Sequence, residues 1–325
     1  MVPERAIDVS VVVPTRDRSR MLEIALRSVM RQRDVQIEVI VVDDASSDDT
    51  PEVVAAFDEP RLRLLRNPVS TGPGEARNRG ASEARGEWLA FLDDDDMWAP
   101  TKLSRQIGTA TDGGSLWVYA GSVNVDDDLR IIHGRPPPDA EVVMATLRRS
   151  NAIPGGGSNV IVRRRAFEEI GGFDERFSPC EDWELWIRMM RLGPPAAVRD
   201  RLMAYRVHAG GRSRDVAAIV RAARRIELEH ETTVDWGLFH RWLAQRSARG
   251  GDRGQALREF ARAALAGQAR EVGRDLVGLT RAGLRRRLGR PPVERGGGGD
   301  VTWEDEAEGW LEELRRLQVE AGDQR

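Results

Sequence analysis

Short apolar runs alternate with amphipathic segments along the first hundred residues. The runs Val9 to Val13 and Val39 to Val42 are rich in valine, which is typical of strands buried on both faces of a parallel sheet. Between them, apolar residues recur at helical spacing within Ser19 to Gln32. This order predicts a strand, a helix and a second strand by residue 42.

The alternation continues as far as an apolar run at Trp88 to Leu92. A helix that opens at Asp48-Asp49-Thr50-Pro51 precedes a strand at Leu62 to Leu65, and a further helix is predicted at Gly74 to Ala84. Such alternation predicts the α/β class, with a right-handed, mostly parallel sheet that carries helices on both faces. Ligands of such sheets bind beyond the carboxyl ends of the strands.

The predicted elements change in kind after residue 116. Shorter strands at Trp117 to Val123 and Leu129 to His133 lead to a glycine run, Gly155 to Gly157, that suits a hinge or a loop of close approach. An amphipathic helix is predicted from Glu181 to Leu192, and the pattern beyond residue 214 is purely helical.

We therefore divide the chain into three regions. Residues 1–213 form the α/β domain, and residues 214–290 form a helical accessory region. Residues 291–325 comprise a Gly/Pro linker and an acidic helix around Trp303 to Leu317, which we expect to pack loosely.

Composition narrows the class of protein. The 325 residues are 40% hydrophobic and 32% charged, enough for a large core, and a net charge of -3 argues against a nucleic-acid partner. No apolar stretch approaches the roughly 20 residues that span a bilayer. The segment Met1 to Arg5 lacks the layout of a signal peptide, and Cys180, the only cysteine, excludes an internal disulfide. These features favour a cytoplasmic protein.

Acidic residues stand where strands end and where one helix begins. Asp43-Asp44 and Asp93 to Asp96 follow predicted strands, and Glu181-Asp182 opens a helix, so the three clusters can meet at one rim. Four adjacent carboxylates repel one another, and burying them without a partner costs several kcal/mol. A divalent cation is their natural partner. We interpret Asp48 and Asp49 as helix-capping residues.

Five motifs, in order, resemble those of the family 2 glycosyltransferases, which have the GT-A fold and transfer a sugar from a nucleotide diphosphate donor. The resemblance covers about residues 8 to 213. The motifs are Val9-Ser10-Val11-Val12-Val13-Pro14-Thr15-Arg16-Asp17-Arg18, Val41-Val42-Asp43-Asp44-Ala45-Ser46, Glu75-Ala76-Arg77-Asn78, Phe91-Leu92-Asp93-Asp94-Asp95-Asp96-Met97-Trp98 and Cys180-Glu181-Asp182-Trp183. A later element, Tyr205-Arg206-Val207-His208, is similar to one near the diphosphate in such domains. Many members carry Tyr-Asn where Arg16-Asp17 stands here.

The resemblance implies a role for each matched residue. It implies nucleotide binding by Pro14, Thr15, Arg16, Asp44, Arg77 and Asp94. It implies Mg²⁺ or Mn²⁺ held by Asp95 and Asp93, with Asp182 as the catalytic base. It places Glu181, Trp183, Arg206 and His208 in the diphosphate or acceptor region. Trp183 could equally be a core residue, and His208 could equally be structural.

The implied reaction is an inverting, metal-assisted single displacement onto an acceptor hydroxyl. The acceptor would be a saccharide or a lipid-linked molecule, in the synthesis of cell-envelope polysaccharide, glycolipid or glycoconjugate. The arginine-rich helices suggest peripheral contact with the inner face of a membrane, although a solvated appendage or a dimer surface also fits. The sequence leaves the oligomeric state open.

Other functions remain open on the residues alone. A nucleotidyltransferase on a related sheet is the closest enzymatic alternative, and a non-catalytic nucleotide-sugar-binding protein is another. A dehydrogenase is disfavoured because Arg77 stands where the dinucleotide fingerprint needs its third glycine. A glycoside hydrolase would need no metal.

Overall fold

The structure, a computed structural model, describes residues 6–208, 215–249, 251–287 and 302–323. Within these ranges the chain forms two compact units. The first, here called the α/β unit, comprises residues up to 147, residues 151–206 and the helix that begins at Trp303. The second, here called the helical unit, comprises residues 148–150 and 207–302.

One mixed sheet forms the centre of the α/β unit. Its strands are β1 (Val9–Thr15), β2 (Ile37–Asp43), β3 (Leu62–Arg66), β4 (Trp88–Phe91), β5 (Met97–Trp98), β6 (Trp117–Val125), β7 (Ile131–Arg135), β8 (Ile161–Arg163) and β9 (Ala196–Arg206). Their order is β3-β2-β1-β4-β8-β6-β9-β5, and β7 pairs with β6. The predicted α/β class is confirmed.

One set of helices flanks this sheet, and another set forms the helical unit. Those of the α/β unit are α1 (Ser19–Met30), α2 (Thr50–Ala55), α3 (Pro73–Ser82), α4 (Lys102–Gly113), α5 (Ala140–Thr146), α6 (Arg164–Glu169), α7 (Glu181–Met189) and, near the end of the chain, α12 (Trp303–Asp323). Those of the helical unit are α8 (Val216–Glu229), α9 (Trp236–Arg249), α10 (Arg253–Ala263) and α11 (Ala269–Arg287).

The sheet is parallel only in its first half. Strands β3, β2, β1 and β4 run parallel, as the alternation of strands and helices predicts, and every residue of the valine-rich strands β1 and β2 is buried. Beyond β4 the pairings are mixed, because β8 is antiparallel to both β4 and β6, β9 is parallel to β6, and β5 is antiparallel to β9. The whole sheet is therefore mixed, whereas the sequence pattern predicts a mostly parallel one.

Helix α12 is a tightly packed part of the α/β unit, contrary to the loose packing expected from its acidic sequence. Ala307, Leu311 and Leu314 are at most 2% exposed. They share a core cluster with Met97 of β5 and Ala204 of β9, among others. One side of the helix is acidic, and the other is an apolar stripe that packs against these two strands.

The helical unit has a small core of its own, as the helical periodicity predicts. Ala244 on α9, Ala256 and Phe260 on α10, and Val272 on α11 are buried together. In the part of the chain that the structure describes, no helix combines the length and the apolar character needed to cross a membrane.

Candidate active site

The turn between β4 and β5 presents four consecutive carboxylates. The Asp96 amide donates to the Asp93 carbonyl over 3.1 Å, and the Asp93 amide donates to the Ser158 hydroxyl over 3.0 Å, so the turn is closed and anchored. Carboxylate oxygens of Asp93, Asp95 and Asp96 lie within 4.8 Å of one another. These three side chains are thus close enough to share one cation.

Asp94 differs from the other three in its partners. Its carboxylate accepts hydrogen bonds from the Thr15 hydroxyl at 2.9 Å and from Arg18 at 3.1 Å. The residue is 3% exposed. These contacts attach the acidic turn to the end of β1, and the nucleotide-binding role of Asp94 stays a prediction.

Arg18 is a member of the site that the sequence analysis did not identify. One of its guanidinium nitrogens bonds Asp94 and, at 2.8 Å, Asp95. Burial opposes its charge, but the carboxylates of Asp94 and Asp95 raise the pKa of Arg18 overall. The available signal was its position in the turn that follows β1, at the carboxyl edge of the sheet.

Asp96 belongs to the acidic cluster that the sequence analysis identified, but no role of its own was assigned to it. It is fully buried, and its Oδ1 accepts the Arg206 amide at 3.2 Å. Its Oδ2 has no hydrogen-bond partner among the described residues. Burial, together with the charges of Asp95 and Asp93, raises the pKa of Asp96 well above its ordinary value.

These observations fit a divalent cation at the acidic turn. An ionised, buried carboxylate oxygen without a partner is costly, and a cation would relieve both the missing contact and the repulsion among the carboxylates. Hard oxygen donors are the ligands that Mg²⁺ and Mn²⁺ prefer. Asp93, Asp95 and Asp96 are the residues that would hold it.

Arg206 lies beside this cluster at the end of β9. It is 7% exposed, and its guanidinium contacts the Met97 sulfur at 3.4 Å. Burial lowers the pKa of Arg206, while Asp95, Asp127 and Asp96 oppose that shift. His208 comes two residues later and belongs to the helical unit, so its diphosphate role stays a prediction.

Arg77 connects the acidic turn to the start of α7. Its guanidinium bonds Asp93 at 2.5 Å and Glu181 at 2.9 Å, and it lies 5.2 Å from the centre of the Phe173 ring. Burial opposes the charge, yet the carboxylates of Asp93 and Glu181 raise the pKa of Arg77 overall. The predicted nucleotide residue therefore also bridges the predicted metal and base motifs.

Asp182 opens α7 against the glycine loop at residues 155–157. Its Oδ1 accepts the Trp183 amide at 2.7 Å. A side chain at Gly156 would place its Cβ only 2.9 Å from Asp182 Oδ2, and Gly156 has a φ of +58°. This loop is thus one of close approach, and glycine keeps space beside the carboxylate.

The surroundings of Asp182 suit a proton acceptor. Burial and, next, the charge of Glu181 raise the pKa of Asp182 to about 7. A general base is most effective when its pKa lies near the working pH. The geometry therefore supports the predicted role, which stays a prediction.

Asp44 organises a loop at the end of β2. Its buried carboxylate accepts hydrogen bonds from Asn67 at 2.6 Å, Ser70 at 2.7 Å and the Thr71 and Gly72 amides at 2.9 and 3.0 Å. These bonds outweigh burial and lower the pKa of Asp44. The carboxylate shapes the loop that precedes α3, and its contact with a base stays a prediction.

Trp183 and Arg16 are two further residues for which the sequence predicts a role at the site. Trp183 is 2% exposed, and its indole donates to the Leu147 carbonyl at 2.6 Å, so we interpret it as a packing residue rather than a sugar platform. The side chain of Arg16 is 55% exposed and lies 3.6 Å from Asp17. Pro14 and Thr15 are the last two residues of β1, and their nucleotide-binding roles stay predictions.

A continuous set of contacts joins the three acidic segments. The Asp44 amide donates to the Thr15 carbonyl at 2.9 Å, and the Thr15 hydroxyl bonds Asp94. Asp93 in turn reaches Glu181 through Arg77. The acidic segments at Asp44, Asp93 and Glu181 are therefore linked to one another through these contacts.

Two family models match the chain. The one described as Glycosyl transferase family 2 matches residues 10–171, and the one described as Glycosyltransferase like family 2 matches residues 138–245. Together they cover the α/β sheet and the first helices of the helical unit.

Curated relatives align over part of their length. The succinoglycan biosynthesis protein ExoO of Rhizobium meliloti (strain 1021) is 42% identical over 112 residues, which are 34% of this chain and 32% of that protein. WfgD of Escherichia coli, a UDP-Glc:alpha-D-GlcNAc-diphosphoundecaprenol beta-1,3-glucosyltransferase, is 28% identical over 183 residues, which are 56% of this chain and 70% of that protein.

Solved structures share the fold. TarS 1-349 of S. aureus, in complex with UDP-GlcNAc, has a TM-score of 0.56 at 19% identity, covering 91% of this chain and 95% of that one. The mannosyltransferase PcManGT of Pyrobaculum calidifontis, in complex with GDP-Man and Mn2+, has a TM-score of 0.51 at 19% identity, covering 98% and 88%. The expected GT-A fold is confirmed.

Proposed function

Because this chain belongs to glycosyltransferase family 2, we propose that it moves a sugar from a nucleoside diphosphate donor to an acceptor hydroxyl by single displacement. The observation that carries the proposal is the bridge from Asp93 through Arg77 to the start of α7. It ties a cation site to a carboxylate suited to be a base.

Asp182 would accept the proton of the acceptor hydroxyl. Its Oδ1 is engaged by the Trp183 amide, so Oδ2, on the side of Gly156, is the oxygen that would receive the proton. As the hydroxyl loses its proton, its oxygen forms the new bond to the sugar while the bond to the diphosphate breaks on the opposite side. One carboxylate suffices for this inverting route.

The acidic turn would face the departing diphosphate. A bound Mg²⁺ or Mn²⁺ supplies positive charge that stabilises the leaving group. Asp93, Asp95 and Asp96 would hold that ion, and Arg18 and Arg77 keep two of the three carboxylates in place. Arg206 would add positive charge on the same side, and contact of His208 with the diphosphate is proposed from its motif alone.

The donor and acceptor classes come from the relatives. WfgD is named for UDP-Glc and for a diphosphoundecaprenol-linked acceptor, and TarS was solved with UDP-GlcNAc. We therefore propose a UDP-sugar donor and a lipid-linked saccharide acceptor, in polysaccharide or glycoconjugate synthesis. This acceptor would place the protein in the cytoplasm, at the inner face of the membrane.

Replacing Asp182 by Asn tests the assignment of the base. Asn keeps the size of the side chain but accepts no proton, so we expect turnover to fall by about 10²- to 10⁴-fold while donor affinity is kept. Turnover is measured as nucleoside diphosphate released with acceptor present, and affinity by calorimetry with Mn²⁺. Asp128→Asn, an exposed site paired with Arg130, is the matched control. Turnover of the Asp182 variant within a few fold of the wild type would refute the role.

The identity of the released product distinguishes sugar transfer from the main alternative, nucleotidyl transfer. A nucleotidyltransferase releases pyrophosphate, whereas sugar transfer releases a nucleoside diphosphate. Detection of pyrophosphate as the product would overturn the proposed reaction. Donor binding without turnover under all acceptors would favour a nucleotide-sugar-binding protein.

A further inference from the structure

The helical unit contains a cavity that the proposed catalytic mechanism does not use. Its volume is about 540 Å³. The residues that line it come from α8, α9 and α10, and they are Val220, Arg224, Glu227, Leu228, Trp236, His240 and Arg262. A cavity of this size can hold a diphosphate or the first isoprene units of a lipid.

One part of the cavity is cationic. Arg224 and Arg262 line it beside His240, and Arg262 is also paired with Glu259 at 2.5 Å. One carboxylate, that of Glu227, belongs to the lining as well. The His240 Nδ1 lies 2.6 Å from the buried carboxylate of Glu259, which leaves Nε2 as the ring nitrogen that can meet a ligand.

The other part of the cavity is apolar. Val220 and Leu228 stand on the same face of α8 as Arg224, at spacings of four residues. Leu228 is 80% exposed, so its side chain offers apolar surface that a ligand can cover. The Trp236 ring completes this wall, held by its bond to Glu227 at 3.0 Å.

We propose that this cavity binds a phosphate group carried on an apolar chain, as found at the reducing end of a lipid-linked acceptor. The inference rests on the proposed function, which supplies such an acceptor. The two arginines suit the phosphate oxygens, since arginine donates charge-assisted hydrogen bonds. The apolar wall suits the first carbons of the lipid chain. Neither part of the cavity alone would suit both the phosphate and the lipid chain.

Charge across the helical unit favours the same ligand. Residues 215–287 contain 15 arginines and 9 acidic residues, a net charge of +6, while the whole chain carries -3. An anionic amphiphile is therefore attracted to this part of the chain before it meets the cavity.

Calorimetry with soluble probes tests the proposal in EDTA, where no divalent cation supports binding at the acidic turn. The probes are farnesyl diphosphate and inorganic pyrophosphate, with the full chain. We expect farnesyl diphosphate to bind about tenfold more tightly than pyrophosphate, because only the former covers the apolar wall. Equal affinities would overturn the assignment of a lipid chain and leave a simple anion site.

Two variants separate the parts of the cavity. Arg224→Ala should weaken both probes by about tenfold, since it removes a charge-assisted hydrogen bond. Leu228→Gln should weaken farnesyl diphosphate alone, by about threefold. The matched controls are Arg225→Ala and Leu257→Gln, both exposed and outside the lining.

The outcomes are distinguishable from those for the catalytic site. Unchanged farnesyl diphosphate affinity in both Arg224→Ala and Leu228→Gln would overturn the proposal. The measured quantity is probe affinity without metal or sugar donor, so the test of this cavity does not depend on turnover. A protein that binds the probe but transfers no sugar would refute the proposed function and keep this site.

Discussion

Two adjacent carboxylates at the start of α7 have different environments, and this difference supports the proposal that Asp182 is the base. Glu181 is fixed by Arg77 through Oε1, so it serves as a counter-charge. Asp182 has a raised pKa and lies against a loop of glycines. A base needs both a tuned pKa and room for its substrate, and of these two residues Asp182 has both.

The pH dependence of turnover follows from that assignment. Asp182 must be ionised to accept a proton, and its pKa is raised to about 7, so kcat/KM should fall as the pH drops through about 7. Glu181→Gln removes the second cause of the raised pKa and should move this acid limb down by about one pH unit. The check is kcat/KM from about pH 5.5 to about pH 9, with Glu168→Gln as an exposed control. An acid limb that stays in place would show that Glu181 does not tune the base.

Replacing Asp94 or Asp96 by Asn should change the stability of the metal-free protein in different ways. Without metal, Asp94→Asn should lower stability by about 1–3 kcal/mol, because it breaks the contacts with Arg18 and Thr15. The raised pKa of Asp96 means that its ionised form is disfavoured in the folded protein, and stability is lost as the pH rises through that pKa. Asp96→Asn should therefore leave metal-free stability unchanged or higher at about pH 8.

Mn²⁺-dependent donor binding tests which carboxylates of the acidic turn hold the metal. We expect Asp95→Asn and Asp96→Asn to weaken Mn²⁺-dependent donor binding by about tenfold or more, since each removes an oxygen ligand. Urea unfolding and calorimetry with and without Mn²⁺ measure both quantities. If Asp96→Asn is destabilised without metal and keeps its Mn²⁺ response, Asp96 is a structural residue.

The sequence could identify these residues only where a strand end or a motif marked them. Asp182 and the aspartates at 93 and 95 follow from spacing and resemblance. Arg18 could not be singled out, because its significance lies in two partners 76 and 77 residues away. Asp96 was passed over because four identical side chains in a row give no sign of which one the turn buries.

Periodicity predicts elements well where burial is uniform. The strands β1 and β2 are buried along their whole length, and the pattern found both. The long strand β9 was missed because it contains Arg199, Asp200 and Arg201 in succession, which breaks the apolar run. Tertiary pairing with β6 decides the conformation of such a segment, and no local pattern reveals it.

Helix α12 should contribute to stability and to the site. Leu311 is fully buried in the cluster that holds Met97 and Ala204, which stand beside Asp96 and close to Arg206 in the chain. Leu311→Ala should therefore cost about 2–5 kcal/mol in urea unfolding and weaken Mn²⁺-dependent donor binding. Val319→Ala on the same helix, at a position 64% exposed, should change neither. Equal behaviour of the two variants would mean that α12 does not support the α/β unit.

At the scale of the whole molecule, charge is divided unevenly between the regions. Residues 215–287 carry +6, so the remainder of the chain carries -9 to give the total of -3. A net charge near zero thus conceals a basic region and an acidic one. A protein that must reach a lipid-linked acceptor gains from such a division, because anionic lipids attract the basic region and repel the acidic one.

Vesicle binding tests this division of charge. The full chain should co-sediment with vesicles of about 30% anionic lipid at low salt and be released at about 0.5 M salt, because screening weakens contacts between exposed charges. Arg270→Glu combined with Arg274→Glu, two exposed positions one turn apart on α11, should abolish binding. The same reversal at Arg130 and Arg199, which are 72% and 84% exposed in the α/β unit, should have little effect. If both double variants bind equally, or if salt has no effect, attraction by the helical unit is not what brings the protein to lipid.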